Sequence, residues 1–195
     1  MSSPCSRVPD GQAGDWWVSS FQVTAEEARR FNLYQNIHPE RGFRHIHPGT
    51  YKKLLYKHEV VMSDTPAEMQ DHHHFIHMAH GSVLLTGLGL GMVLGELLKK
   101  KDVKHIMVLE KSLDVIKLVA GHYQQADLEI INADALTWKI PKGVHYDFIW
   151  HDIWNGICAD NLESMRKLKR RFARCSPWQG CWCEIECMRI KRQWG

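Results

Sequence analysis

The sequence predicts an α/β fold: a mostly parallel sheet with helices on both faces, preceded by an arm made of a helix and a β-hairpin. Three observations predict it. From Ser82 onward, short apolar segments rich in Val, Ile and Leu alternate with segments of helical pattern, which is the signature of strands and helices in succession. Those apolar segments carry little polar alternation, as strands covered on both faces do. The first of them runs straight into VLLTGLGLGM, where Gly87, Gly89 and Gly91 stand at alternate positions. Glycine at that density weakens a strand or a helix but suits a tight strand-to-helix turn.

The elements follow in order. Residues 1–20, rich in Ser, Pro, Gly and Asp, read as a loose start. Thr24-Ala25-Glu26-Glu27 is a capping box and opens a helix from about Ala25 to Asn36. The segment 37–49, with Pro39 and Pro48, reads as loop. TYKKLLYKHEVVM at 50–62 mixes β-branched, aromatic and lysine residues as a hairpin does. Thr65-Pro66-Ala67-Glu68 supplies an N-cap, a proline at the first helical position and an acid in the first turn, so a helix runs to about Ala79, with Gly81 as its stop. A strand over Ser82–Thr86, a helix over Met92–Lys100, a strand over Lys104–Glu110, a helix over Leu113–Gln124 and a strand over Leu128–Ile131 come next. A fourth strand covers Asp147–Trp150, and a helix from about Asn161 to Arg174 stands behind the cap pair Asp160 and Glu163. A fifth strand is expected over Cys181–Met188. In CWCEIECM, period-two alternation would put Cys181, Cys183, Ile185 and Cys187 on one face, and free cysteine packs as a small hydrophobe. The expected division is an arm over residues 1–65 and a ligand-binding domain over 66–195. The short C-terminus after the fifth strand leaves the sheet either short or completed by the arm.

Composition sets bounds. The chain has 195 residues, 44% hydrophobic and 24% charged, which fits one globular domain with an extra arm. A net charge of +3 gives no argument for nucleic acid. The start has the pattern of no signal peptide. The longest apolar stretch, Val83 to Leu98, is broken by glycines, a threonine and Glu96, and falls short of the roughly 20 residues of a membrane span. A cytoplasmic location is therefore expected, and six cysteines agree with it, because a cytosolic chain of this size needs no disulfides.

Four loops on one edge of the sheet carry the chemistry. At the glycine turn, a ligand can lie against bare main chain, with the N–H groups of the next helix facing its polar end. Glu110 closes the second strand about 20 residues further on, the distance at which an acid accepts hydrogen bonds from a ribose diol. Asn132-Ala133-Asp134-Ala135 follows the third strand; a carboxylate there suits an adenine amino group, with Ala135 leaving room for the ring. YDFIWHDIWNG ends the fourth strand and puts Asp152 at the carboxyl edge, where open α/β sheets bind ligands. A packed turn, a helix-capping glutamate and an Asx turn are the structural alternatives at the first three places.

Taken together, VLLTGLGLGM, VLEKSLDVI, NADAL and YDFIWHDIW resemble the class I S-adenosylmethionine-dependent methyltransferases, and within them the spermidine-synthase-like branch, over about Thr50 to Asn155. The resemblance implies a Rossmann-like sheet and S-adenosylmethionine as cofactor. It implies that Gly87, Gly89 and Gly91 pass under the methionine part, that Glu110 binds the ribose and that Asp134 and Ala135 border the adenine. The cofactor-binding set is completed by Asp152, which orients the acceptor or takes its proton, with His151 as the alternative base. The sequence departs from the family where Thr86 replaces an acid before the first glycine, where Leu90 and its neighbours are apolar, and where Asp152 has few acidic companions. A nicotinamide dehydrogenase would want G-x-G-x-x-G, and here Met92 follows Gly91 too early. The expected function is a methyltransferase with a small-molecule acceptor. An aminopropyltransferase using the decarboxylated cofactor and a non-catalytic cofactor-binding module are the alternatives. A homo-oligomer stays open, and a nucleic-acid acceptor has no motif behind it, because His151-Asp152-Ile153-Trp154 stands where amino-methylating enzymes carry [DNS]-P-P-[YFW].

Two other features invite chemistry. His73, His77 and His80 share a helical face in DHHHFIHMAH, but no acid or cysteine completes a ligand pattern, so no metal is expected. In the resembling branch this helix lies beside the cofactor, which implies that His73 or His74 faces the pocket. Arg166, Lys167, Lys169, Arg170, Arg171 and Arg174 make a basic helix, read as a solvated face that could draw an anionic acceptor.

Overall fold

The computed structural model describes residues 4–37 and 44–194. Two sheets organise them. The first is antiparallel, β1 (Gly11–Ala13), β2 (Trp16–Val23), β3 (Gly49–Tyr56) and β4 (Glu59–Ser63), in sequential order. The second is wholly parallel. Its strands are β5 (Gly81–Thr86), β6 (Val103–Glu110), β7 (Leu128–Asn132), β8 (Phe148–His151) and β9 (Trp178–Cys181), in the order β7-β6-β5-β8-β9. The chain order reverses at β5, between β6 and β8. That switch point opens a crevice at the carboxyl edge.

The expected loose start over residues 1–20 is instead ordered from residue 4 onward, residues 1–3 lying outside the described residues. Trp16 packs on Tyr56 at 4.9 Å and Phe21 on Tyr51 at 5.8 Å. Asp10 accepts the Ser20 N–H at 3.0 Å and pairs with Lys52 at 2.6 Å. Tyr51, Lys52 and Tyr56 lie on β3, far along the chain, so composition alone did not reveal the strands. The capping box is present: Thr24 N–H donates to Glu27 and Glu27 N–H to Thr24 Oγ1, which starts α1 (Ala25–Ile37). The loop expected over 37–49 lies partly outside the described residues. Its later part is tied back to α1 by Asn32, whose side chain bonds both the N–H and the C=O of Ile46 at 2.8 Å.

α2 (Pro66–Met78) begins with its proline in place, but the Thr65 side chain makes no cap bond. Glu68 instead reaches back to the N–H and hydroxyl of Ser63 at 2.8 and 2.6 Å. At the other end, Lys100 Nζ satisfies the Ile76 and His77 carbonyls at 2.9 Å, the favourable placement for a cation. α3 is only Met92–Leu97, shorter than expected, because Lys99 and Lys100 close it with i→i+3 bonds. α4 (Leu113–Val119) is capped by Ser112 and runs into a 3-10 turn over Ala120–His122. α5 (Asn161–Arg171) departs from its expected cap pair: Asp160 is itself helical and makes no side-chain cap bond.

The fifth strand is the clearest correction. It covers Trp178–Cys181, and the cysteine-rich segment turns helical as α6 (Glu184–Trp194). Cys183, at φ 50°, is the turning point. Cys183 and Cys187 are buried, one helical turn apart, while Ile185 is 62% exposed. A strand would have buried all three together.

Alternate strand residues face two cores. Val83, Leu85, Val108 and Trp150 join Phe75 of α2, Leu94 and Leu97 of α3, Val115 and Val119 of α4, and Cys5, Val8, Val18 and Leu54 of the arm. Leu84, Met107, Leu109 and Ile149 face Leu168 and Phe172 with Tyr146. The sheet is thus covered by helices on both faces, with the arm adding to one of them rather than extending the sheet.

Candidate functional site

A cavity of about 790 Å³ lies over the carboxyl edge of β5, β6, β7 and β8, within the range of small-ligand sites. Gly87 and Gly89 border it; Gly91 does not. Each of the three is left-handed, at φ 100°, 52° and 73°, and each lacks a side chain for a different neighbour. A Cβ on Gly87 would strike the Asp152 carbonyl, one on Gly89 the Met62 sulfur, and one on Gly91 the Tyr123 ring. The turn is therefore a hub where three distant parts of the chain meet. Tyr123 Oη donates to the Leu90 carbonyl at 2.8 Å, and Gly91 N–H to the Leu88 carbonyl at 2.8 Å.

Glu110 stands where β6 ends, bordering the cavity. Its Oε2 accepts the Leu88 N–H at 2.8 Å and its Oε1 the Ser112 N–H at 2.7 Å. Each oxygen keeps a second lone pair, so the carboxylate is both locked in orientation and able to accept again. Asp134 and Ala135 border the same cavity. Asp134 accepts the Leu136 N–H at 2.9 Å and pairs with Lys111 at 3.0 Å. Burial raises its pKa, but Lys111 and the Leu136 amide outweigh that and hold it below the usual range. Leu109, Ala135, Leu136 and Ile153 make an apolar bed between these acids.

The other half of the cavity is aromatic and acidic. Trp16, Tyr56, Trp150, Trp154 and Trp182 border it, with Arg44, Glu68, His72 and Asp152. Burial, then the charges of Glu68, Asp71 and Glu110, push Asp152 up to about 7, although 26% of its side chain faces the cavity. Arg44 holds Asp71 in a two-pronged pair at 3.1 and 2.8 Å.

His72 is 2% exposed and is the histidine of α2 that borders the cavity; His73, His74, His77 and His80 are exposed, which corrects the expectation for His73 or His74. Trp150 Nε1–H donates to His72 Nδ1 at 3.2 Å. An indole N–H cannot accept, so Nδ1 is the acceptor and a neutral ring carries its proton on Nε2. Nε2 stands 3.8 Å from Asp152 Oδ2. Burial, helped by Arg44, lowers His72 to about 4, so it is neutral at pH 7. His151, the alternative base, does not border the cavity. It points to the opposite face of the sheet from Trp150, fully buried between Thr86 Oγ1 at 3.1 Å and Gln179 at 3.2 Å.

The sequence alone assigned no site role to Glu68, Met62, Trp150 or Trp182, and it left open whether His72 lines the pocket. A signal for one group existed: Glu68, His72, Phe75 and Ala79 follow the i, i+4, i+7, i+11 stripe that marks the inward face of α2. Among the described residues, no group of three or more His, Cys, Asp or Glu could hold a metal ion, and no helix is long and apolar enough to cross a membrane.

The profile of the family described as Glycosyltransferase Maf N-terminal domain matches residues 27–119. No curated protein matches the chain. Among solved structures, an S-adenosylmethionine-dependent methyltransferase from Clostridium acetobutylicum ATCC 824 is similar at 11% identity and a TM-score of 0.42, covering 56% of this chain and 45% of its own. The plantazolicin methyltransferase BpumL in complex with SAH is similar at 16% identity and 0.39, covering 56% and 39%. The complex between the Haloferax volcanii Trm112 methyltransferase activator and the putative methyltransferase is similar at 17% identity and 0.39, covering 44% and 39%. The chain spans less than half the length of each of these three.

Proposed function

We propose that the protein is a methyltransferase that takes S-adenosylmethionine in the half of the cavity between Gly87 and Ala135 and its acceptor in the half lined by Trp150 and Asp152. The observation that carries this reading is Glu110. Its two oxygens are fixed by the Leu88 and Ser112 amides, and both retain acceptor capacity toward the cavity, as a ribose diol requires. The apolar bed of Leu109, Ala135, Leu136 and Ile153 suits a purine, and Asp134 at its rim suits an amino group. The volume and the donor set both fit a nucleoside.

When bound, the cofactor supplies an electrophilic methyl group. The chain's own part is placement and proton handling. Asp152, raised to about 7, is matched to removing a proton from an acceptor amine or hydroxyl near neutral pH. The neutral His72 turns its Nε2–H toward Asp152 and is itself held by Trp150. Trp16, Tyr56, Trp150, Trp154 and Trp182 wall the acceptor half of the cavity.

Calorimetry with S-adenosylmethionine tests the reading. Wild type should bind it, and Glu110→Gln should weaken binding at least about tenfold, since a charge-assisted pair is lost. Unchanged affinity in the variant would overturn it.

The family match favours a second reading, a transferase that uses a nucleotide sugar, whose ribose Glu110 could also grip. The acids around the cavity and the engagement of Lys111 with Asp134 weigh against a diphosphate there. Tighter binding of a nucleoside diphosphate sugar than of S-adenosylmethionine would favour that second reading.

A further inference from the structure

The hairpin reaches the glycine turn through one side chain. In the β3–β4 pairing Leu54 faces Met62 and Leu55 faces Val60, so Val61 is the additional residue of a bulge. Bulges re-aim the side chains beside them. Here Val60, Val61 and Met62 all border the cavity, which strict alternation would not allow. Met62 Sδ accepts the Leu90 N–H at 3.2 Å and occupies the space that a side chain on Gly89 would need. The turn beneath it is fixed, because Tyr123 holds the Leu90 carbonyl and Leu88 holds the Gly91 amide. The sulfur is the movable party: methionine is unbranched and flexible, and a thioether is a weak acceptor.

We infer that Met62 is a specificity-determining residue of this cavity. It competes for the Leu90 N–H with the carboxylate of a ligand's amino-acid tail, and so sets how strongly the site prefers a thioether nucleoside with that tail over one without it. This rests on the nucleoside reading of the site. A carboxylate bonds an amide N–H about twice as strongly as a neutral acceptor does, so the tail can win the contest, but only by the difference between the two.

The test is calorimetry on the full chain, as wild type, Met62→Leu and Met62→Ala, with S-adenosylhomocysteine and 5′-methylthioadenosine. The leucine keeps the bulk and removes the acceptor; the alanine removes both. Both variants should bind S-adenosylhomocysteine about 2- to 10-fold more tightly, the range set by the net worth of one hydrogen bond. Binding of 5′-methylthioadenosine should stay within about twofold, that compound having no carboxylate to gain the bond. If wild type binds the two nucleosides and neither variant shifts their ratio, the assignment to Met62 is wrong and the nucleoside site stands. If neither nucleoside binds any of the three proteins, while thermal melting reports them folded, the nucleoside reading falls and this inference with it.

Discussion

Asp152 and His72 face each other at 3.8 Å with their usual protonation preferences reversed: the acid titrates near 7 and the base near 4. A carboxylate whose folded pKa is raised lowers stability as pH climbs from its unfolded value toward 7. Asp152→Asn should therefore raise the melting temperature above pH 7 and leave it unchanged below pH 4. Turnover, in contrast, needs the ionised form, so wild-type activity should rise through about pH 7, and the variant should lose this limb with most of its rate. A variant with an unaltered pH profile would remove Asp152 from the proton path. The glycines give a second residue-level expectation. Gly87 is left-handed and abuts backbone, not a flexible side chain. Gly87→Ala should cost more than the roughly 1–2 kcal/mol of the left-handed conformation alone. Gly121→Ala meets nothing within 4 Å and should fall within about 0.5 kcal/mol of wild type. Equal effects, read from denaturant midpoints, would contradict the hub role of the turn.

At the scale of elements, the C-terminal segment shows what a pattern can hide. CWCEIECM alternates as a strand does, yet Cys183 and Cys187 are buried as helical neighbours and Ile185 faces solvent. Four residues cannot separate a two-residue period from a helical turn when the same small residue fits both. Ile185→Lys should change stability by less than about 0.5 kcal/mol, whereas Leu168→Ala, buried between α5 and the sheet, should cost about 2–5 kcal/mol. Comparable losses in urea unfolding would mean that Ile185 is a core residue after all. The elements read correctly were those whose signals are local: the Thr24 and Glu27 box, the Pro66 start, and the short apolar strands, the first of them ended by Gly87. β1 and β2 were missed because their support is non-local, in Tyr51, Lys52 and Tyr56 of β3. The same division runs through the site. Glu110, Asp134 and Asp152 stand at strand ends and could be placed by counting. His72 and Met62 reach the cavity only because a helix and a bulged hairpin fold over it.

For the whole molecule, two fully packed histidines sit on opposite faces of one sheet. His72 and His151 are both lowered to about 4, chiefly by burial. The unfolded chain takes up these protons near 6.5, so each contributes stability that is complete above that value and lost as pH falls toward 4. The protein should thus lose stability between pH 6.5 and 4, by the two histidines' contribution less the opposing gain from Asp152, whose raised carboxyl binds its proton more tightly in the folded chain over the same window. His72→Gln with His151→Gln should flatten that slope, whatever the change in absolute stability. A slope unchanged in the double variant would assign the acid sensitivity to other groups.

One consequence concerns observation without any ligand. The Leu90 amide rests on a sulfur that belongs to β4, while the Leu88 amide rests on Glu110 at the end of β6 and the Gly91 amide on the Leu88 carbonyl. Its deuterium uptake is therefore a direct gauge of how often the hairpin lifts from the sheet, and a labelled sample would register that breathing at a single peptide group.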